Sequence, residues 1–310
     1  MKLAIIQDGP VYFDLMKTIE KTHDLLTQAS QKGADVIVFG ECWLSGYPIW
    51  LDICSDVNLW DDEHIKALWT KMYHSSIDIK SPLFQDLKDH VKELRVHVII
   101  GANEKVNSGS GNGTLYNSIL TIDKYGDLCN HHRKLMPTYT EKLVHGLGDG
   151  AGLKSIDTSH GKIGSLICWE HWMPLTRQAM HIEGEDLHIA LWPHVKALHQ
   201  VASRHYAHEG RCYVAAVGQV MYLSELPEGL TISPKINIPD DQIIMRGGSA
   251  VYGPDGSIVT ESLSCKRKII MTELDLSSCV GERMNLDVTG HYQRSDVFNL
   301  SINRSRLSKG

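Results

Sequence analysis

The chain has 310 residues, 42% of them hydrophobic, and carries 31 Lys and Arg against 37 Asp and Glu, a formal net charge of −6. That length suits one large α/β domain or two smaller ones, and it is enough to bury a sizeable core. The mildly acidic, ordinary composition gives no reason to expect nucleic acid or an anionic membrane surface as partner.

The chain opens with the apolar run Leu3-Ala4-Ile5-Ile6, stopped by Asp8. This is too short for the apolar region of a signal peptide, and no later run approaches the roughly 18 apolar residues that cross a bilayer. The cysteines, Cys42, Cys54, Cys129, Cys168, Cys212, Cys265 and Cys279, are odd in number, scattered and without a CxxC pair. That pattern argues against a disulfide framework or a thiolate zinc cluster, and predicts a reducing, cytoplasmic setting.

Residues 3–7 read as a short buried strand. Residues 14–32 place Leu15, Ile19, Leu25 and Leu26 at helical spacing before Gly33, which predicts an amphipathic helix. A β-branched strand over 34–39 leads to Glu41. Helices follow over 61–73 and 83–95, then a buried strand over 96–102. Segments 115–123 and 128–134 flank Lys124-Tyr125-Gly126-Asp127, a hairpin turn, so the sheet is mixed. The pattern then repeats: strand 163–168, helix 174–183, strand 187–192, helix 197–211, strand 213–221. A second hairpin is expected around Gly253-Pro254-Asp255-Gly256, with 269–274 as its return strand. Residues 223–242, with Pro227, Pro234 and Pro239, read as a long surface loop. Two similar halves predict two stacked mixed sheets with helices outside, in one domain over residues 1–276. The polar residues 277–310 read as a C-terminal arm.

Three residues stand at the ends of expected strands: Glu41 after Val36-Ile37-Val38-Phe39-Gly40, Lys134 after His132-Arg133, and Cys168 after Ile163-Gly164-Ser165-Leu166-Ile167. A thiol nucleophile, a carboxylate base and a cation for developing negative charge form a hydrolytic set, provided the fold gathers them. Cys168 also precedes a helix near Pro174, and a strand-to-helix turn exposes a nucleophile and aims backbone N–H groups at an oxyanion.

These segments resemble the nitrilase superfamily of carbon-nitrogen hydrolases. Phe39-Gly40-Glu41-Cys42-Trp43-Leu44-Ser45-Gly46-Tyr47-Pro48 is similar to its glutamate motif, His132-Arg133-Lys134-Leu135-Met136-Pro137-Thr138 to its lysine motif, and Cys168-Trp169-Glu170-His171-Trp172-Met173-Pro174 to its nucleophile motif. Gly210-Arg211-Cys212-Tyr213-Val214 and the segment 247–256 resemble later parts of the family. Segment 287–298 resembles the C-terminal part of the nitrilase branch.

The resemblance implies an α-β-β-α sandwich, which agrees with the two-sheet reading. It implies that Cys168 attacks a nitrile carbon and Glu41 takes its proton and later activates water. Lys134, with the Trp169 backbone N–H, would stabilise the charge that develops, its cation also lowering the thiol pKa. Glu141 matches a second family glutamate and would hold the Lys134 ammonium. Trp169, Trp172, Tyr47 and His145 are the expected substrate-binding residues. The match departs at His145, where related chains often carry Trp.

Trp169-Glu170 after the cysteine and Gly290-His291-Tyr292 favour a nitrilase over an amidase of the same superfamily, whose cysteine is more often followed by Tyr and Asp. An amidase or a cyanide-degrading enzyme is the alternative, and a non-catalytic assembly protein with a retained hydrolase fold is the second. The substrate is then a small nitrile, with no cofactor and no metal: His194, His199, His205 and His208 lack HExxH spacing and carboxylate or thiolate companions. Gly109, Gly111 and Gly113 lack the Lys-Ser/Thr of a phosphate loop. The resemblance also implies a homodimer or larger, spiral-forming homo-oligomer, and the C-terminal arm, too poor in apolar residues to bury itself alone, is expected to place residues 280–310 at its interface.

Overall fold

The computed structural model describes residues 1–228, 230–262 and 265–307; residue 229 of the expected loop and residues 308–310 of the expected arm lie outside the described residues. The chain runs β1 (Lys2–Gln7), α1 (Leu15–Gln31), β2 (Val36–Val38), α2 (Trp50–Ile53), α3 (Glu63–His74), α4 (Pro82–Leu94), β3 (His97–Lys105), β4 (Leu115–Ile122) and β5 (Leu128–Arg133). It continues with β6 (Ile156–Thr158), β7 (Gly161–Ile167), α5 (Pro174–Ile182), β8 (Leu187–Leu191), α6 (Ala197–Gly210), β9 (Tyr213–Val217), β10 (Val220–Tyr222), β11 (Ile243–Arg246), β12 (Ala250–Tyr252), β13 (Ile258–Glu261), β14 (Lys268–Glu273) and α7 (Ser278–Arg283).

Two six-stranded mixed sheets result, in the orders β14-β1-β2-β3-β4-β5 and β13-β12-β9-β8-β7-β6. Each has a parallel centre, β1-β2-β3 in one and β7-β8-β9 in the other. The period of two along the strands explains the layering. Leu3, Ile5, Val36 and Val38 point into the core between the sheets, where they meet Leu166, Ile189 and Ala215. Their neighbours Ala4, Ile6, Ile37 and Phe39 point the other way, onto Ile19 and Leu26 of α1 and Phe84, Leu87 and Val91 of α4. Helices α5 and α6 cover the second sheet through Ala179, Met180, Ala202 and Tyr206. This is the expected α-β-β-α sandwich.

Two strand expectations need correction. Segment 269–274 does not close the second hairpin. The turn at Gly253–Gly256 is closed by β13, which pairs with β12. Strand β14 instead crosses to the first sheet and pairs antiparallel with β1, from Lys2↔Glu273 to Gln7↔Lys268. A turn sequence marks where the chain reverses but not which later strand takes the partner; the free edge of β1 offered β14 a full ladder. The strand expected over 213–221 is broken at Gly218, whose N–H turns to the Ser249 hydroxyl, and β10 pairs with β11 in a separate ribbon.

The described residues after β14 are anchored on the body at several points. Cys279 of α7 is buried, and Arg283 binds Asp186 at 2.9 Å. Leu300 and Ile302 pack against the inter-sheet core, Arg304 meets Glu183 at 2.6 Å and Arg306 meets Asp149 at 3.1 Å. Between these anchors Met284, Tyr292, Val297 and Phe298 stand exposed.

Candidate active site

The three strand-end residues come together. Glu41 follows the carboxyl end of β2, Lys134 follows β5, and Cys168 follows the carboxyl end of β7. Parallel strands in α/β sheets deliver functional groups at their carboxyl ends. The sulfur of Cys168 and one carboxylate oxygen each of Glu41 and Glu141 lie within 4.8 Å of one another. The Lys134 ammonium sits among them, 3.0 Å from Glu41 Oε1 and 2.9 and 2.7 Å from the two oxygens of Glu141. All four residues are buried. The trio has the makeup of a cation site, and the cation is this ammonium.

Local backbone explains the convergence. Cys168 opens a 3-10 turn, Cys168–Trp172, with φ +51, a left-handed conformation that L-residues adopt at a cost. The turn lifts the sulfur off the strand line. Glu41 lies on a loop pressed against β3 at Gly101, where a Cβ would stand 2.2 Å from the Gly40 carbonyl oxygen and 2.8 Å from Glu41 Cα. Glu141 serves twice. At the third position of the 3-10 turn Tyr139–Leu143 it accepts from the Thr138 N–H at 3.1 Å, as in a capping box, and it also grips Lys134.

The electrostatics divide the two glutamates. Burial raises the Glu41 carboxyl to about 7, against the pull of Lys134 and the Asn117 amide that donates to it at 2.7 Å. Burial would raise Glu141 too, but Lys134, His145 and the Thr138 amide outweigh it and hold this carboxyl below its ordinary range. Glu141 is therefore the fixed counter-ion, and Glu41 is poised to exchange a proton near neutrality. Its Oε2 has no hydrogen-bond partner among the described residues.

The thiol departs from expectation. A cation was expected to lower its pKa, and Lys134 does pull that way. Burial and the Glu41 and Glu141 charges pull harder, so the Cys168 thiol lies well above its ordinary value. The resting sulfur keeps its proton and needs a base at hand.

The four residues expected to bind substrate fall into two pairs. Tyr47 is buried and donates its hydroxyl to Glu141 Oε1 at 3.0 Å. His145 is buried, with Nε2 2.9 Å from Asn103 Oδ1, while Asn103 donates to the Gly46 carbonyl at 2.7 Å. Burial lowers the His145 pKa to about 4, so the imidazole is neutral and braces the loop after Glu41. Trp169 and Trp172, on the turn that Cys168 opens, are 54% and 40% exposed and keep their rings available for contact.

Several supporting residues escaped the sequence reading. His131 and His132, at the end of β5, are both tied inward: His132 to Glu170 at 2.9 Å and His131 to Glu104 at 2.7 Å. Arg133 joins Glu104 at 2.5 Å and lies over the Tyr116 ring. Asn117 sat inside a strand otherwise rich in apolar residues, which is the signal that could have marked it.

A family model for carbon-nitrogen hydrolases matches residues 2–283. The chain belongs to the carbon-nitrogen hydrolase family. Among the relatives of this carbon-nitrogen hydrolase is Nitrilase 2 from an unknown prokaryotic organism, 32% identical, covering 98% of this chain and 92% of that protein. An aliphatic nitrilase of Sinorhizobium fredii is also 32% identical, covering 99% and 97%. A bifunctional nitrilase/nitrile hydratase of Lupinus angustifolius is 29% identical, covering 97% and 85%. The fold matches the C. elegans NitFhit protein with a TM-score of 0.72 at 19% identity, over 97% of this chain and 67% of that one. A carbon-nitrogen hydrolase from Helicobacter pylori matches with a TM-score of 0.67 at 21% identity, over 96% of both.

Proposed function

We propose that this carbon-nitrogen hydrolase is a nitrilase that converts a small organic nitrile and water to a carboxylic acid and ammonia, with Cys168 as nucleophile. The observation that carries the reading is the buried cluster of Cys168, Glu41 and Glu141 around the Lys134 ammonium. Three of the relatives above bear nitrilase names.

Glu41 takes the thiol proton as Sγ bonds to the nitrile carbon and passes it to the nitrogen as negative charge forms there, giving a thioimidate and restoring the Glu41 carboxylate. Lys134 and the Trp169 N–H face the charge as it forms, without reorganising. Water, deprotonated by Glu41, adds to the thioimidate carbon; ammonia leaves and a thioester remains. A second water hydrolyses it to the acid and returns the thiol. Glu141 and Tyr47 hold the ammonium in place, and Trp169 and Trp172 contact the organic group. A panel of nitriles, cyanide included, read by ammonia release and by acid and amide products, tests the assignment. Turnover of amides with none of nitriles would select the amidase reading instead.

Among the described residues no helix is long and apolar enough to cross a membrane; the reading places the enzyme in the cytoplasm. It also places two or more copies together through the outer faces of α5 and α6, where Leu175, Ile182, Leu198 and Val201 stand exposed, and through the C-terminal segment around Phe298.

A further inference from the structure

Behind the nucleophile turn lies a second buried polar cluster that the chemistry above does not use. His171, three residues past Cys168, places Nδ1 2.7 Å from the Cys168 carbonyl oxygen. Its Nε2 lies 3.0 Å from Nε2 of His188 on β8. Nδ1 of His188 lies 2.8 Å from Oε2 of Glu185, and the Tyr206 hydroxyl of α6 donates to Oε1 of the same carboxyl. All are buried. The space is built for this carboxyl: on β7, a Cβ at Gly164 would stand 1.8 Å from Glu185 Oε2.

Hydrogen-bond direction fixes where the protons are. A carbonyl oxygen can only accept, so His171 carries its proton on Nδ1. Burial lowers the His171 pKa to about 3, so this ring is neutral and its Nε2 accepts. His188 must then donate from Nε2. Burial also holds His188 well below its ordinary value, so its Nδ1 is bare and accepts. The donor to that nitrogen is the Glu185 carboxyl. Glu185 itself is raised by burial to about 7, against the pull of His181, Tyr206 and Arg283, with Glu183 and Cys212 the other titratable neighbours. The nearby His181 and Arg177 share the Glu209 carboxylate, at 3.2 and 2.6 Å, while His181 Nδ1 also faces Glu185 Oε1 at 3.8 Å, beyond hydrogen-bond distance.

We propose that Glu185, His188 and His171 form a one-way hydrogen-bond string that ends on the Cys168 carbonyl and holds the strained nucleophile turn, and that the string is intact only with a proton on Glu185. These are positioning residues. When Glu185 loses its proton, the carboxylate faces the bare Nδ1 of His188. To restore that bond His188 must move its proton to Nδ1; Nε2 then needs a proton from His171, whose Nδ1 is left bare against the Cys168 carbonyl. Each deprotonation therefore leaves a mismatch somewhere along the string, and the turn loosens. The functional half of this inference rests on Cys168 as nucleophile; the proton assignment does not.

Two measurements on the full-length protein test it. The first is nitrogen NMR of 15N-histidine-labelled protein below the titration of Glu185. The string requires His171 protonated at Nδ1 alone and His188 at Nε2 alone. His188 protonated at Nδ1 or at both nitrogens overturns it, whatever the activity. The second is steady-state kinetics. Glu185→Gln keeps a donor to His188 and an acceptor for Tyr206, so it retains most of the wild-type kcat and loses the fall in kcat that wild type shows as pH rises through the Glu185 titration. Glu185→Leu lowers kcat on the order of tenfold to a hundredfold with KM little changed. Equal losses in the Gln and Leu variants, an unchanged kcat in Glu185→Leu, or an alkaline fall that persists in Glu185→Gln would overturn the proposal. If no nitrile is turned over, the nitrilase reading fails and the NMR result still decides the string.

Discussion

Glu170 and His132 meet at 2.9 Å in a fully buried pair between the strand ends that carry Cys168 and Lys134. The same carboxylate accepts from the Ile167 N–H at 2.7 Å and the Leu135 N–H at 2.8 Å. One group thus joins the residue before the nucleophile to the residue after the lysine, across the two sheets. Burial alone would raise the Glu170 pKa; His132 and the two amides outweigh it and keep the group ionised.

Glu170→Gln follows directly. An amide must turn its NH2 toward one of three donors, so at least one bond is lost in a buried site. We expect a stability loss of about 3 kcal/mol in denaturant titrations. We also expect a fall in kcat on the order of a hundredfold in the protein that remains folded, because the two ends it joins drift apart. Wild-type kcat in the folded variant would remove Glu170 from the account.

The division between the glutamates predicts the acid side of the pH–rate profile. Glu41 accepts a proton only as the carboxylate, and burial raises it to about 7, so it sets the rising acid limb of kcat/KM, and the Glu185 titration sets the alkaline fall of the bell. Asn117 hydrogen-bonds the charged form. Asn117→Ala should therefore push Glu41 higher still and move the limb to higher pH. A limb that stays put in Asn117→Ala assigns it to another group.

Lys134→Met keeps much of the volume and removes the cation between two carboxylates. We expect kcat to fall on the order of 10² or more, as for loss of an oxyanion donor. On the proposed roles Glu141→Gln should cost less than Glu41→Gln, since Glu141 would orient the ammonium and move no proton. Reversed losses would exchange the roles of the two glutamates.

Most of this was legible in the sequence, for a physical reason. Glu41 and Cys168 each end an apolar run and Lys134 follows the polar end of β5, and a strand end is where a buried fold can present a charged or nucleophilic group. The repeat of strand and helix segments in two similar halves pointed to two sheets and their helix layers. The crossing of β14 to β1 was not legible, because strand pairing over such a separation leaves no local mark. Neither were the partners of His131 and His132. Whether a polar pair on an edge strand faces water or a buried carboxylate depends on the second sheet, and the sequence does not show which residue lies opposite. The thiol pKa was misjudged because sequence supplies Lys134 as a neighbour but not the burial and the two carboxylates around it.

Glu104 offers a stability test independent of catalysis. Burial would raise it, but His131 and Arg133 outweigh burial and lower it to about 2. A depressed carboxyl contributes stability that is present above its unfolded value near 4.5 and lost as pH falls toward 2. Its contribution is on the order of 3 kcal/mol at neutral pH. Glu104→Gln should be less stable than wild type at pH 7, with the gap closing progressively in acid. A gap that does not change with pH would mean the loss is one of packing rather than charge.

The resting thiol keeps its proton and Cys168 is only 4% exposed, so slow alkylation of the free enzyme is expected and says nothing against catalysis. The decisive measurement is mass spectrometry of acid-quenched enzyme during turnover of a nitrile that releases ammonia. An acyl or imidoyl adduct is expected on the peptide bearing Cys168, with no adduct and no ammonia from a folded Cys168→Ala protein. An adduct on another residue, or ammonia release by folded Cys168→Ala, would contradict it.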